Sequence, residues 1–516
     1  MARYVMASRR AGKFTEDSKA AAIRQFNDFS ASPRMAEAAT SMGDERKPRH
    51  ENGRRIRIFE SSEDRVADLI RHCPADVIIE PEVFYQTSLG NRSFGRFRTF
   101  EAAMTADASV FGAQRTITVT ARGGGQSLAN AEVRVWVQFG REFANGVGQT
   151  DATGQVTMSY PDFATPVAVL VSPYSGFWST WSHRPRANMT VTCARLPRSG
   201  PQDWWHRAVG TPRSYDPMLG NGIRVGVIDT GCGPHGGLAH VQNVGAFIGQ
   251  NHNPGGGADV DSHGTHVCGI IGARPAAAGE YGGIAPGCDL MSARVFATSD
   301  GAANIDIADA IDFLSKDEEA DLINLSLGGE FPSIIVRDAL QDAEERGSLC
   351  IAAAGNSEGA VNFPAANPEC VAVSALGLLG ETPPNSYSAD AIPNDPNAFG
   401  FEGIFMAGFS CRGPEIELTG PGVGVVSTVP ERFGLTRPYK ELDGTSMASP
   451  AATGAIAAIL SRSPTYAGLE RNGGRTAFAR NLAGQFGRDA GLDPALQGRG
   501  LPNMRGVHPS RDVHIV

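Results

Sequence analysis

The chain has 516 residues, 41% of them hydrophobic and 20% charged, with a formal net charge of -9. This length exceeds what one hydrophobic core normally serves, so we expect several domains with the composition of a globular protein. The negative charge, without any long run of basic residues, argues against nucleic acid as a partner.

The sequence carries no targeting or membrane signal. Its first residues, MARYVMASRRAGKF, lack the apolar core of a secretory signal peptide, and no apolar segment is long enough to cross a membrane. We therefore expect a protein that is cytoplasmic or exported by a non-Sec route, with no membrane partner. The eight cysteines show no CxxC pair and no metal-ligand spacing, which predicts no metal site and favours buried free thiols over disulfides.

The first segment alternates between strand and helix patterns. RYVMAS, RIRIFE and DVIIE are predicted strands, and EDSKAAAIRQF and EDRVADLIRHC repeat apolar residues at helical spacing. Residues 28–54 between them are polar and rich in Ser, Pro, Met and charge, which predicts a loop or a disordered insertion. We expect a small α+β domain over residues 1–87 and a linker over 88–112.

The second segment, residues 113–196, has no helical periodicity. Short alternating runs are separated by turns rich in Gly, Asn, Asp and Pro. The runs are TITVTARG, EVRVWVQFG, GQVTMSYP, VAVLVSP and MTVTCARL. This pattern predicts an all-β sandwich, which we interpret as an accessory domain.

The third segment, residues 200–505, predicts a three-layer α/β domain with a mostly parallel sheet, followed by a tail over 506–516. Its strand patterns are nearly continuously apolar, as parallel strands buried on both faces require. They are IRVGVID, LMSARVF, DLINLSLG, LCIAAAG and CVAVSAL, and helical patterns lie between and after them. In such sheets chemistry occurs at the carboxyl ends of the strands.

Asp229 ends the first of these strands, within VGVIDTGCGPHG. An aspartic protease would need a second Asp-Thr-Gly or Asp-Ser-Gly, and the sequence has none. The spacing of GCGPHG fits a dinucleotide-binding turn, but no helix-forming run follows it. Both interpretations are therefore disfavoured, and Asp229 needs other partners.

Three further segments offer candidate partners, each with a structural alternative. DSHGTHVCGI places His263 at a helix start, which favours a structural role in packing or capping when the segment is taken alone. A two-His zinc site is disfavoured, because it would need a third ligand and the Glu of the HExxH motif is absent. DGTSMASPAATG places Ser446 at a helix N-terminus, as a cap or as a nucleophile beside oxyanion-binding amides. CIAAAGNSEG ends a strand at Asn356, which makes a turn or donates its amide to an oxyanion.

The order Asp, His, Asn, Ser in one α/β domain resembles the subtilisin-type (subtilase) serine proteases. The resemblance rests on VGVIDTG, DSHGTHVCGIIG, GIAPGCDLMSARV, INLSLGG, AAAGNS and GTSMASPAATGAIA, and it spans roughly residues 200–505. It implies a serine endopeptidase that works through an acyl-enzyme. It also implies that Ser446 is the nucleophile, His263 the general base and Asp229 its orienting acid, with Asn356 in the oxyanion hole.

The resemblance further implies a cleft in which polypeptide substrates add as a strand. One wall would be Ser326, Leu327, Gly328 and Gly329, and the opposite wall of the first specificity pocket would lie near Asn362. The family often has Gly at the latter position, so a side chain there shortens the pocket and leaves the preference at the residue before the cut (P1) open between apolar and small residues.

The first segment resembles the subtilase propeptide, which assists folding and acts as an intramolecular inhibitor. We therefore expect a zymogen that cleaves itself within residues 84–90. No cofactor is required; the loop 274–283 lacks the oxygen ligands of a calcium site, which leaves Asp259 and Asp261 as candidates. The alternative is a peptide-binding or scaffold protein with little catalysis, which the presence of all four site residues disfavours.

Overall fold

The computed structural model describes residues 2–9, 15–43, 45, 53–88, 114–249, 251–298 and 301–506, in three successive units. Almost all of the expected linker and of the expected tail lies outside these residues. No helix in the described ranges is long and apolar enough to cross a membrane. All eight cysteines are free thiols, and seven of them are buried.

The first unit is one antiparallel sheet with helices on one face. Its strands are β1 (Ala2–Ser8), β2 (Ser41–Met42), β3 (Ile56–Ser61), β4 (Val77–Pro81) and β5 (Phe84–Thr87), and its helices are α1 (Glu16–Ser30), α2 (Pro33–Ala38) and α3 (Glu63–Arg71). The sheet order is β2-β3-β1-β4. Alternation along β1 sends Tyr4 and Met6 to the unit's own core and Val5 and Ala7 to the third unit.

The prediction of a loop or disorder over 28–54 is wrong for its first part. Helix α1 continues to Ser30, α2 follows, and β2 pairs with β3. The reason is local: the Ser32 hydroxyl accepts the Met35 N–H at 3.3 Å as an N-cap, and Pro33 occupies the first helical position. Phe29 and Met35 are buried, which the polar composition of the segment concealed.

The second unit consists of two sheets around one apolar core. Its strands are β6 (Gln114–Gly123), β7 (Gln126–Ser127), β8 (Glu132–Phe139), β9 (Glu142–Gln149), β10 (Gln155–Pro161), β11 (Thr165–Ser172), β12 (Thr180–Ser182) and β13 (Asn188–Cys193). The orders are β10-β6-β13, with β7 beside β6, and β12-β11-β8-β9. Val119 of one sheet and Val135 of the other belong to the same buried cluster.

The third unit is built on a nine-stranded, mostly parallel sheet of order β16-β15-β17-β14-β19-β21-β22-β23, with β24 beside β22. The strands of this unit are β14 (Arg224–Asp229), β15 (Gln242–Ile248), β16 (Asn251–Asn253), β17 (Asp289–Arg294), β18 (Ala302–Ala303), β19 (Leu322–Leu325), β20 (Leu327–Gly328), β21 (Leu349–Ala353), β22 (Cys370–Leu378), β23 (Ile404–Met406), β24 (Ile416–Pro421), β25 (Val425–Thr428), β26 (Tyr439–Leu442), β27 (Gly487–Arg488) and β28 (Leu501–Pro502). Its helices are α4 (Trp204–Ala208), α5 (His263–Gly272), α6 (Asn304–Lys316), α7 (Ile334–Glu345), α8 (Thr445–Leu460), α9 (Pro464–Gly468), α10 (Gly473–Gln485) and α11 (Pro494–Gln497).

Helices cover both faces of this sheet. Val225 and Val227 of β14 belong to the buried cluster that includes α5 and α8, whereas Ile228 belongs to the cluster that includes α6 and α7. The two-residue period of a strand therefore separates two cores, and the unit has three layers. The carboxyl ends of β14 and β21 and the first turns of α5 and α8 meet at one edge of the sheet.

Candidate active site

Asp229 and His263 form the most deeply buried polar pair at this edge. The His263 Nδ1 lies 2.7 Å from the Asp229 Oδ1, and both side chains have no solvent exposure. The Thr230 N–H donates to the same oxygen at 2.7 Å. Because a carboxylate only accepts, the Nδ1 carries the proton and the Nε2 is left as the acceptor of the neutral ring.

Asp259 ties the loop after β14 to the start of α5. Its carboxylate accepts the Thr230 hydroxyl at 2.8 Å and the backbone N–H groups of Ser262 and Thr265, each at 2.9 Å. The sequence left Asp259 as a candidate calcium ligand and did not reveal this role. Within the described ranges no three or more His, Cys, Asp or Glu side chains are grouped to hold a metal ion.

Ser446 lies in the first turn of α8 and is fully buried, and its N–H has no acceptor within the helix. Its hydroxyl donates to the Ser326 carbonyl at 2.9 Å, and the Ser326 hydroxyl donates back to the Ser446 carbonyl at 2.9 Å. The hydroxyl is thus turned away from His263, whose buried Nε2 hydrogen-bonds to none of the described residues. A bond between Ser446 and His263 requires a rotation of the Ser446 side chain.

Asn356 lies three residues after the end of β21 and is held beside the start of α8. Its Oδ1 accepts the Thr445 backbone N–H at 2.9 Å and the Thr445 hydroxyl at 3.0 Å. The Nδ2 is buried and has no hydrogen-bond partner in the described part of the chain. This arrangement leaves one amide donor available next to Ser446.

The end of the first unit occupies the cleft. Strand β5 pairs antiparallel with β18 on one side and with β20 on the other. The Ser88 N–H donates to the Ser326 carbonyl at 3.2 Å, and the Ser446 N–H donates to the Ser88 carbonyl at 3.2 Å. The peptide carbonyl of Ser88 therefore lies at the N-terminus of α8. The sequence predicted a cleavage site within residues 84–90 but did not single out Ser88.

Asn362 lies close to two glycines of the cleft, Gly328 and Gly355. A Cβ on Gly355 would lie 2.7 Å from the Asn362 Cγ, and a Cβ on Gly328 would lie 3.4 Å from both the Asn362 Cβ and the Ser88 Oγ. Gly329 and Phe363 exchange two backbone hydrogen bonds of 2.8 and 2.9 Å, which join the two walls. The structure thus brings the predicted residues Ser326 to Gly329 and Asn362 together around Ser88.

The charges around His263 favour its protonated form. Burial alone would lower the pKa of this imidazole, but the charge and hydrogen bond of Asp229, together with the charges of Asp261 and Asp259, raise it above its ordinary value. The second histidine of α5, His266, behaves oppositely: burial lowers its pKa to about 3, so it is neutral. The pKa of His263 is therefore raised and that of His266 is lowered, although both side chains are buried.

The catalytic domain of this chain is similar to known proteases. Residues 220–485 match the subtilase family. Subtilisin DY of Bacillus licheniformis is 32% identical over 279 residues, which cover 53% of this chain and 89% of that protein. Subtilisin Savinase of Lederbergia lenta is 31% identical over 271 residues, covering 52% and 87%. A solved protease structure from Pseudoalteromonas arctica PAMC 21717 covers 58% of this chain and 93% of its own, at 22% identity and a TM-score of 0.46.

The protein is a serine endopeptidase that acts on polypeptides, with an α/β catalytic domain. The chain belongs to the subtilase family, whose match covers more than half of its length. The resemblance seen in the sequence motifs is confirmed at this level.

With His263 as the expected general base, only its neutral form is active. We therefore expect kcat/KM to rise with pH, with an apparent pKa above the ordinary histidine value of 6.5. Carboxylates near the ring stabilise its protonated, inactive form, so Asp261→Asn should move this rise to lower pH. The measurement is kcat/KM between about pH 5 and 10 for the processed enzyme. The remote surface variant Asp162→Asn is the control; a rise that stays in place or moves to higher pH in Asp261→Asn would contradict this electrostatic account.

Proposed function

We propose that the chain is a zymogen in which Asp229, His263 and Ser446 hydrolyse peptide bonds and first cut the bond after Ser88. The observation that carries the proposal is the contact between the Ser446 N–H and the Ser88 carbonyl, 3.2 Å long, with β5 paired on both sides in the cleft. This is the geometry of a peptide substrate whose reacting carbonyl lies at the nucleophile.

In this mechanism the Ser446 hydroxyl turns from the Ser326 carbonyl to the His263 Nε2, which takes its proton during attack on the substrate carbonyl. The oxyanion that forms accepts the Ser446 N–H and the free Nδ2 of Asn356. Protonated His263, stabilised by Asp229, then gives the proton to the leaving amine. Water repeats the sequence on the acyl-enzyme and releases the free carboxylate.

Residues 1–88 act as the intramolecular inhibitor, and their anchors outside the cleft support this role. The Glu80 carboxylate accepts the Ser333 hydroxyl at 2.5 Å, the Ile334 N–H at 2.7 Å and the Asn304 amide at 2.9 Å. It therefore binds the N-terminus of α7, where a negative charge is favoured. Glu80 is buried, so water does not readily replace these hydrogen bonds.

A second anchor is the Arg54 guanidinium, whose side chain is only 3% exposed. It lies 3.4 Å from Asp312, 3.7 Å from Asp338 and 3.4 Å from Asp342, on α6 and α7. Removing one partner of a buried ion pair is costly, so this cluster holds the first unit in place after the chain is cut.

The Asn362 side chain closes the pocket below Ser88 and selects small residues at P1. The proposal is supported by the place of Asn362 beside Gly328 and Gly355, since the Ser88 hydroxyl lies beside the same Gly328. Serine, which this chain itself presents there, fits such a pocket. Large aromatic or long basic P1 side chains would collide with Asn362.

The processing step is tested by expressing the full chain beside its Ser446→Ala variant. We expect the parent to yield a fragment beginning at Leu89 and the variant to remain one chain, since loss of the nucleophile costs about 10⁶-fold in kcat. Intact-mass and N-terminal analysis provide the measurement. Exposed Ser41→Ala is the control, and trace parent enzyme added to Ser446→Ala should cut it at the same bond. A Ser446→Ala chain that still divides after Ser88 on its own would refute the proposal.

The pocket assignment predicts that Asn362→Gly raises kcat/KM for a phenylalanine P1 substrate, relative to a serine P1 substrate, by roughly tenfold or more. Peptides that differ only at P1 provide the measurement. Asn130→Gly is a matched control in the second unit, because Asn130 already has a φ of 56°, which glycine adopts without strain. An unchanged ratio in Asn362→Gly would remove Asn362 from the specificity pocket.

A further inference from the structure

The second unit is hydrogen-bonded to the catalytic domain along its segment 176–181. The Gly176 N–H donates to the Tyr439 carbonyl at 2.8 Å, and the Trp181 N–H donates to the Asn385 carbonyl at 3.0 Å. The Ser179 carbonyl accepts the Tyr387 N–H at 2.8 Å. All three are main-chain bonds, which satisfy backbone groups of both units at the contact.

Two tryptophans of the second unit are buried at the same contact. Trp178 is 3% exposed and packs with Tyr281 and Val426 of the catalytic domain. Trp181 is 8% exposed and lies with Trp136 in a buried cluster against Tyr387. If the second unit left, apolar surface of both partners would meet water, which costs about 25 cal/mol per Å².

Glu441 is the polar centre of this contact. Its side chain lies in β26 of the catalytic domain, 3% of the residue is exposed, and its Oε1 accepts the Ser179 N–H at 2.6 Å. Burial raises its pKa above the ordinary value. Its other oxygen has no partner in the described part of the chain, so Ser179 supplies the one hydrogen bond seen for this carboxyl group.

The strand that contacts the second unit, β26, lies just before the nucleophile Ser446 in the chain. Strand β26 runs from Tyr439 to Leu442, and Asp443 follows it, three residues before Ser446. The Asp443 carboxylate accepts the Gly424 N–H at 2.7 Å and the Ser388 hydroxyl at 2.9 Å. Ser388 belongs to the 3₁₀ helix Tyr387–Ala391, whose first residue is the one that bonds Ser179.

The same strand also contacts the helix of the general base. The Lys440 carbonyl, in β26, accepts the His266 Nε2 proton at 3.0 Å. His266 lies one turn after His263 on α5. A shift of β26 would therefore move the elements that carry the nucleophile and the base relative to each other.

Residues 196–201, which connect the second unit to the catalytic domain, make several contacts with the catalytic domain. Leu196 is buried, the Tyr281 hydroxyl donates to the Pro197 carbonyl, and the Gly282 N–H donates to the Pro201 carbonyl at 2.9 Å. Gly200 forms a β-bridge with Gly279. A second cut here would require a segment with these contacts to unfold locally, which makes it a poor protease substrate.

We propose that the second unit stays in the mature enzyme as an internal brace and that Glu441, bound to Ser179, is a positioning residue for Ser446 and His263. The brace acts on the catalytic geometry. It rests on the proposed function only in taking Ser446 as the nucleophile.

Retention is measured on the parent protein after complete processing, by intact mass and N-terminal analysis of the species that a fluorophosphonate labels. We expect the labelled chain to begin at Leu89 or elsewhere before residue 114 and to contain the whole second unit. A fully active, labelled chain that begins within 194–203 would overturn the proposal. Failure of any labelling would instead count against the proposed function, so the two failures are distinguishable.

Positioning is measured with Glu441→Ala and the conservative Glu441→Gln, which keeps an oxygen acceptor for Ser179. We expect Glu441→Ala to lower kcat per titrated active site by roughly 10- to 100-fold with little change in KM, because small misplacements of catalytic groups have effects of this size. Glu441→Gln should rescue most of the loss. If Glu441→Ala gives fewer active sites but unchanged turnover per site, Glu441 is merely structural and the positioning role is wrong.

Discussion

The buried hydrogen bond between Asp229 and His263 is the constraint on which the rest of the site depends. A carboxylate with no solvent exposure needs donors, and here the imidazole and the Thr230 N–H provide them. Asp259 binds both the Thr230 hydroxyl and the first turn of α5, so it links the end of β14 to the start of the helix. The proton on Nδ1 and the free Nε2 follow from this geometry, and the parallel sheet serves to deliver these residues to one edge.

In the proposed zymogen, substrate and inhibitor bind the cleft edge through the same backbone groups. Strand β5 adds between β18 and β20, so any extended peptide can use the same pairing. What distinguishes residues 1–88 from a substrate is the contact made elsewhere, by Glu80 on α7 and by Arg54 among three aspartates. Because these contacts hold the first unit on the catalytic domain, they raise the effective concentration of β5 at the cleft. They do so without changing the cleft itself.

The sequence predicted β14, β17, β19, β21, β22 and α5 to α8 of the catalytic domain, because buried parallel strands and amphipathic helices have distinct periodicities. It missed β15 and β24 of the same sheet and helix α10, which begins with two glycines. In the second unit it missed β9, whose EFANGVGQ carries two glycines and weak alternation, and β12, which is only three residues long. The motif order identified Asp229, His263, Asn356 and Ser446 as candidates. The roles of Ser88, Arg54 and Glu441 depend on contacts between segments distant in sequence, for which neither periodicity nor motif spacing carries a signal.

The most direct test of the account is labelling of the processed protein by a fluorophosphonate, in the parent and in Asp229→Asn. We expect the label on Ser446 alone in the parent, and labelling slower by about 10⁴-fold in Asp229→Asn with the fold intact, since the wrong imidazole tautomer is then held. Labelling of a different serine, or equal rates in the two proteins, would contradict the claim that Asp229 activates Ser446 through His263.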